Sequence, residues 1–235
     1  MLNWNFKESG AGSIHMVLGN ILHELFQSSI KNRKYEKNEL SSLLLDILKR
    51  KQIINQLYDC NMNEEHVFKE TVVYLNSIQK WLHENLKLPL TTNNSFTKNN
   101  QKTVKNLQIS NVCDIEESIW SPKYGFKGKL DLTLQVEIKM SAFKTLNSTS
   151  KNDQIEHHVI PVELKSGRTT FSAEHEGQVM LYSLLNREKR NKSDFGLLLY
   201  LKDMNMKFIK VNEVSLRGWL IDKKNVFKYK SILII

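Results

Sequence analysis

Cysteine, proline and glycine are scarce in this sequence, and each scarcity excludes a class of protein. Two cysteines, Cys60 and Cys113, are too few for a disulfide framework or for a four-thiolate metal site. Three prolines and nine glycines, with 40% hydrophobic residues, argue against a collagen-like, linker-like or disordered chain. We therefore expect a globular protein of an intracellular, reducing compartment.

Long hydrophobic runs and nucleotide-binding loops are also missing. No apolar run approaches the roughly 20 residues of a membrane-spanning helix. Residues 1–13 lack the basic-then-apolar layout of a secretory signal. No G-x-x-x-x-G-K-[ST] loop occurs, so the sequence predicts neither an ATP site nor a membrane partner.

Positive charge, by contrast, is in excess. The chain has 34 Lys and Arg against 25 Asp and Glu, a formal net charge of +9. Such an excess favours binding to a polyanionic partner, and nucleic acid is the first candidate. Charge alone also allows a basic domain that contacts no nucleic acid.

The order of hydrophobic patterns predicts one domain in four parts. Residues 14–90 show the 3.6-residue period of helices, residues 91–111 are a polar surface insertion, residues 112–220 hold strands and a helix, and residues 221–235 form a basic tail. The expected helices start at Ile14, span Leu40–Leu57 and follow Asn63. The expected later elements are strands Asp114–Trp120, Leu130–Met140 and His157–Lys165, helix Ala173–Arg190, and strands Phe195–Leu201 and Met206–Val211. This order predicts the α/β (α+β) class, with a central mixed β-sheet flanked by helices.

Three charged residues on neighbouring strands are candidates for catalysis. Asp131 lies on the polar face of its strand, and Glu163 and Lys165 share one face because side chains repeat every second residue. Two carboxylates with a lysine suit metal-assisted phosphodiester hydrolysis, since their oxygens bind Mg²⁺ or Mn²⁺. The alternative is a solvated aspartate beside an ordinary ion pair on an exposed sheet.

Four residues on helices are secondary candidates. His23 lies off the apolar stripe of the first helix and could be a metal ligand or a structural histidine. Gln178 and Tyr182 lie four residues apart, with His175 one turn earlier, so the three share a face. They form either a ridge that contacts phosphates and bases or an ordinary helix edge.

Five ordered segments resemble the nuclease domain of the eukaryotic DNA replication ATP-dependent helicase/nuclease family, a RecB-like branch of the PD-(D/E)XK superfamily. The resemblance spans about Met16 to Leu220. The segments are Leu18–Gln27 (LGNILHELFQ), Asp114–Leu134 (DIEESIWSPKYGFKGKLDLTL), Pro161–Gly167 (PVELKSG), Glu174–Leu185 (EHEGQVMLYSLL) and Phe195–Lys202 (FGLLLYLK).

This resemblance implies a restriction-endonuclease-like core and a role for each candidate. His23, Asp131, Glu163 and the backbone carbonyl of Leu164 would hold the catalytic Mg²⁺ or Mn²⁺, and Lys165 would be the catalytic lysine. The remaining site residues, Gln178 and Tyr182 with His175 beside them, would hold DNA and support the site. The implied activity is endonucleolytic cleavage of single-stranded DNA, including 5′ flaps, in DNA replication and repair. The implied location is the nucleus, with mitochondria as the alternative, and replication and repair proteins would be partners.

Two departures from the family keep a second hypothesis open. The family's nuclease domain carries a 4Fe-4S cluster, and neither Cys60 nor Cys113 matches one of its four cysteine positions. The family's helicase domain has no counterpart here either. The sequence therefore resembles a fragment, a truncated gene model or a reduced paralogue of the family, and we expect it to bind no iron. The alternative hypothesis is a catalytically silent remnant that binds DNA or acts as an interaction module.

Overall fold

The computed structural model describes residues 14–86, 107–123, 125–139, 155–190, 193–212, 214, 216, 218 and 232–234. By its contacts the chain divides into two compact units, Met1–Lys80 and Trp81–Ile235. Within the described ranges, no helix has the length and apolar character needed to cross a membrane.

The first unit is helical. Its helices bury a continuous set of leucines and isoleucines, among them Ile21, Leu25, Leu44 and Ile47, which are almost inaccessible to solvent. The helices are α1 (Ile14–Asn32), α2 (Lys37–Leu48), α3 (Lys51–Asp59) and α4 (Glu64–Val72), while α5 (Leu75–Asn85) crosses the boundary between the units.

Two expected helices are each split in the structure. The predicted helix Leu40–Leu57 ends at Leu48, and Arg50 adopts an extended backbone before α3. The polar residues 49–51 interrupt the apolar stripe, which favours a break there. The predicted helix after Asn63 breaks between α4 and α5, where the backbone of Tyr74 donates to Thr71 in a turn. The expected start is confirmed, because the Asn63 side chain accepts a hydrogen bond from the backbone of His66 at 2.8 Å.

The second unit contains a six-stranded mixed sheet. Its strands run in the order β1-β2-β3-β4-β5, with β6 pairing β2 beside β3. The β1–β2, β2–β3, β4–β5 and β2–β6 pairs are antiparallel, and β3–β4 is parallel through the crossover helix α6. The elements are β1 (Leu107–Ser121), β2 (Phe126–Lys139), β3 (Ile155–Lys165), α6 (Ala173–Arg190), β4 (Phe195–Tyr200), β5 (Asn205–Lys210) and β6 (Ile232–Ile234).

This architecture confirms the predicted mixed α/β class and corrects some boundaries. The expected insertion at 91–111 is wrong over its last residues, because Leu107–Asn111 already pair with β2. Cys113 consequently lies within β1 rather than before it. Strand β6 was not predicted, and the rest of the expected basic tail, like residues 91–106, lies outside the described residues. The single-domain division stays a prediction.

Helix α6 packs directly against β4 at a glycine. A Cβ atom on Gly196 would lie 2.7 Å from both Ser183 Oγ and Val179 Cγ1, closer than any real contact of that kind. Around this point the helix buries Val179, Leu181 and Tyr182 against Leu198 and Tyr200 of β4. Because residue 196 has no side chain, α6 can pack close against β4, where it covers the face of the sheet that bears charged residues.

Candidate active site

Asp131 lies where two strands separate. The β2–β3 ladder ends at the pair Leu132–Val162, beyond which β3 pairs with β4, and β6 joins β2 only at residues 126–128. The backbone N–H of Leu164 therefore lacks a ladder partner on β2, and it donates to Asp131 Oδ2 at 2.7 Å. The carboxylate is thus fixed in a gap at the edge of β2.

Glu163 and Lys165 form a hydrogen-bonded pair next to this gap. Lys165 Nζ donates to Glu163 Oε1 at 2.7 Å, and Glu163 is only 6% exposed. Burial, aided by the charge of Asp131, raises the pKa of Glu163 from 4.5 to about 8 against the opposing effects of Lys165 and Gln178. The pair is therefore not the solvated ion pair of the alternative hypothesis, since the Glu163 carboxyl is buried and the Lys165 side chain is only 20% exposed.

Helix α6 supplies the second ligand of the lysine. Gln178 Oε1 accepts from Lys165 Nζ at 2.8 Å, and Gln178 Nε2 donates to the Tyr182 hydroxyl at 3.2 Å. The two side chains are 2% and 1% exposed. A ring buried this deeply cannot stack on a base, so the geometry brings Gln178 and Tyr182 to the site as supports for Lys165.

His175 contacts Tyr200 of β4. Its Nδ1 atom lies 2.7 Å from the hydroxyl of Tyr200, a fully buried residue paired in register with Lys165. Burial, aided by the positive charge of Lys165, lowers the pKa of His175 below its usual value. The imidazole is thus favoured in its neutral form, and its contact is with the sheet rather than with Gln178.

Sequence reasoning missed Tyr200 and a second buried glutamate. Glu117 Oε1 accepts from Lys189 Nζ at 2.7 Å and from Arg190 Nη2 at 2.6 Å, while its other oxygen accepts from the Thr133 hydroxyl. Burial raises the pKa of Glu117, but these three donors outweigh it, so the net pKa is lowered. The contacts of Tyr200 and Glu117 depend on which strands are neighbours in the sheet, and no local sequence motif identifies either residue.

His23 belongs to the other unit. It lies on α1 and is half-buried. In the described part of the second unit, no third histidine, cysteine or acidic residue joins Asp131 and Glu163 to make a group of three. The roles of His23 and of the Leu164 carbonyl as metal ligands stay predictions.

The donor set fits a hard dication. Carboxylate oxygens are the ligands that Mg²⁺ and Mn²⁺ take in proteins. Burial and then the charge of Asp131 disfavour the ionised form of Glu163, so the two carboxylates repel each other. A dication between them would relieve that repulsion and displace the proton of Glu163. Fold and site together define a mixed α/β protein with a carboxylate–lysine centre at a strand fork.

Comparison with known proteins places this class in a family. The family described as DNA replication factor Dna2 matches residues 1–136, more than half of the chain. The human protein named DNA replication ATP-dependent helicase/nuclease DNA2 is 33% identical over 231 residues, covering 94% of this chain and 20% of the human protein. The Gallus gallus protein of that name is 31% identical, covering 98% of this chain and 22% of its own length. The Saccharomyces cerevisiae protein of that name is also 31% identical, with 84% and 12% covered.

The chain belongs to the DNA replication factor Dna2 family. It spans about a fifth of the length of the vertebrate relatives that it matches.

Proposed function

We propose that this chain is a divalent-metal-dependent endonuclease domain of the PD-(D/E)XK type. Its substrate is single-stranded DNA, including 5′ flaps, and its work belongs to DNA replication and repair, in the nucleus or in mitochondria. Family membership supports the nuclease assignment, because the relatives are named helicase/nucleases. The observation that carries it is the meeting of Asp131, Glu163 and Lys165 at one strand fork.

Asp131 and Glu163 hold the metal in this proposal, with His23 and the Leu164 carbonyl as further ligands. A bound Mg²⁺ or Mn²⁺ would supply an activated water and would neutralise the charge that develops on the phosphate. The bond between Leu164 N–H and Asp131 orients one carboxylate before any ligand arrives. Such fixed orientation reduces the reorganisation that the reaction requires.

Lys165 provides a fixed positive charge beside the carboxylates. Its ammonium is held by Glu163 and Gln178, and Gln178 is held in turn by Tyr182. Of its three N–H donors, two are used by these contacts. The third is available to orient the attacking water or to stabilise the phosphate oxygens during cleavage.

A cleavage assay on single-stranded DNA tests the proposal. The full chain should cut a labelled single strand with Mg²⁺ or Mn²⁺ and not with EDTA, and Asp131→Ala should abolish the cutting. A matched control is Asp194→Ala, which removes an exposed carboxylate paired with Arg187 and should leave cleavage unchanged.

The same assay separates the alternative. DNA binding without metal-dependent cleavage would establish the silent binding module instead. Cutting that survives Asp131→Ala would refute the assigned site.

A further inference from the structure

The loop between Lys165 and α6 is tied down from two sides. Asp203 Oδ2 accepts from the backbone N–H of Thr169 at 3.0 Å and from its hydroxyl at 2.9 Å. Asn205 Nδ2 donates to the same hydroxyl at 3.1 Å. The turn between β4 and β5 therefore anchors the middle of the loop.

Tyr200 anchors the end of the loop. Its buried hydroxyl accepts from the backbone N–H of Phe171 at 3.0 Å and also contacts Thr170 Oγ1 at 3.3 Å. Phe171 has a φ of 43°, a left-handed conformation that is strained for a residue with a side chain. Its ring packs edge-on against Tyr200 at 5.3 Å. The loop is held in a strained shape that the tyrosine compensates.

Directly before these anchored residues the loop presents Arg168 to solvent. The side chain is exposed and, within the part of the chain that the structure describes, forms no hydrogen bond or ion pair. Arg50, Arg187 and Arg190, by comparison, each pair with a carboxylate. An arginine that adjoins an anchored residue and has no partner at its guanidinium is suited to an external anion.

We propose that Arg168 binds the DNA phosphate adjacent to the one that is cleaved. Arg168 follows Lys165 by three residues, so their Cα atoms are within about 11 Å. The planar guanidinium matches two phosphate oxygens at once. An anchored loop loses little entropy on binding, which makes the contact stronger than one from a mobile side chain. This inference rests on the proposed nuclease function and adds a determinant of strand position to it.

The salt dependence of binding isolates this contact from catalysis. Affinity of the full chain for a fluorescent oligothymidylate is measured in EDTA over a range of NaCl concentrations. Arg168→Ala should reduce the slope of log K against log salt by about 0.7, the value for one phosphate contact on a single strand. Arg168→Lys should keep the slope but bind several-fold more weakly, because it keeps the charge and loses the paired geometry.

Lys210→Ala is the matched control. It removes one exposed positive charge at the other end of the β4–β5 hairpin, opposite Phe195. It should leave the slope as in the unaltered chain. An equal change for Lys210→Ala and Arg168→Ala, or no change for Arg168→Ala, would overturn the proposal.

Asp203→Ala tests the anchoring of the loop separately from the charge of Arg168. Removing a negative charge should by itself strengthen DNA binding. If the anchored loop positions the strand, Asp203→Ala should instead cleave about 10-fold more slowly in Mg²⁺ without weaker binding. Cleavage at the unaltered rate would refute the anchor. Failure of the nuclease function would be seen separately, as no metal-dependent cutting by the unaltered chain, and the salt dependence of binding would still test Arg168.

Discussion

Two buried glutamates lie in the sheet that α6 covers, and they have opposite electrostatics. Glu117 is 4% exposed and Glu163 is 6% exposed, so burial alone does not distinguish them. Three donors surround Glu117 and lower its pKa, whereas burial and the nearby charge of Asp131 raise the pKa of Glu163 despite its hydrogen bond from Lys165. Glu117 is a charged group with hydrogen-bond partners and a structural role. Glu163 is a carboxyl whose charged form is disfavoured, which is typical of functional sites.

The strongest test of this contrast is the cleavage rate. Glu163→Gln should slow cleavage on the order of 1000-fold, equivalent to about 4 kcal/mol in the barrier, because an amide is a poor replacement for a metal-binding carboxylate. Glu117→Gln, measured per folded molecule, should cleave normally. Equal losses in the two variants would end the distinction between a structural and a functional glutamate.

Stability should respond in the reverse order. Glu117→Gln weakens hydrogen bonds to Lys189, Arg190 and Thr133, so we expect a loss of about 1–3 kcal/mol in the free energy of unfolding. Glu163→Gln should be neutral or stabilising in EDTA at neutral pH. Urea unfolding followed by circular dichroism measures the free energy of unfolding of both variants. A destabilised Glu163→Gln protein would contradict the conclusion that the charged form of Glu163 is disfavoured in the folded chain.

The pH dependence of stability should be the most gradual effect. The pKa of Glu163 is raised from 4.5 to about 8, so the metal-free folded protein holds a proton that the unfolded chain releases. Stability in EDTA should therefore fall as pH rises from about 4.5 to about 8, and Glu163→Gln should remove that part of the slope. The lowered pKa of Glu117 acts oppositely, since its contribution is lost as pH falls below about 4.5.

Thermal unfolding in EDTA at a series of pH values separates these two windows. A Glu163→Gln protein with the same slope as the unaltered chain between pH 4.5 and 8 would show that another group is responsible.

Local patterns predicted much of this fold. The bounds of α6, Ala173–Arg190, follow from sequence alone, and so does the shared face of Glu163 and Lys165. Both depend on periods within a single element, which the sequence carries directly. The two helix breaks were missed because short polar interruptions are tolerated in many helices.

Contacts between elements were beyond prediction. Tyr200 supports the loop after Lys165 only because β3 and β4 are parallel neighbours, and Glu117 meets Lys189 only because α6 crosses β1 and β2. These meetings depend on register and strand order. Asp131 was identified by its place on the polar face, but its fork exists because β3 turns from β2 to β4.

The bare backbone at Gly196 has a consequence for how this centre can vary. The gap between Lys165 and Gln178 is set by how near α6 approaches β4, and at residue 196 only a hydrogen atom fits in that space. A methyl group at residue 196 would push α6 away from β4. It would thereby separate the Gln178 amide from the Lys165 ammonium without contacting either polar group. An apolar position in a strand thereby controls the alignment of a charged centre.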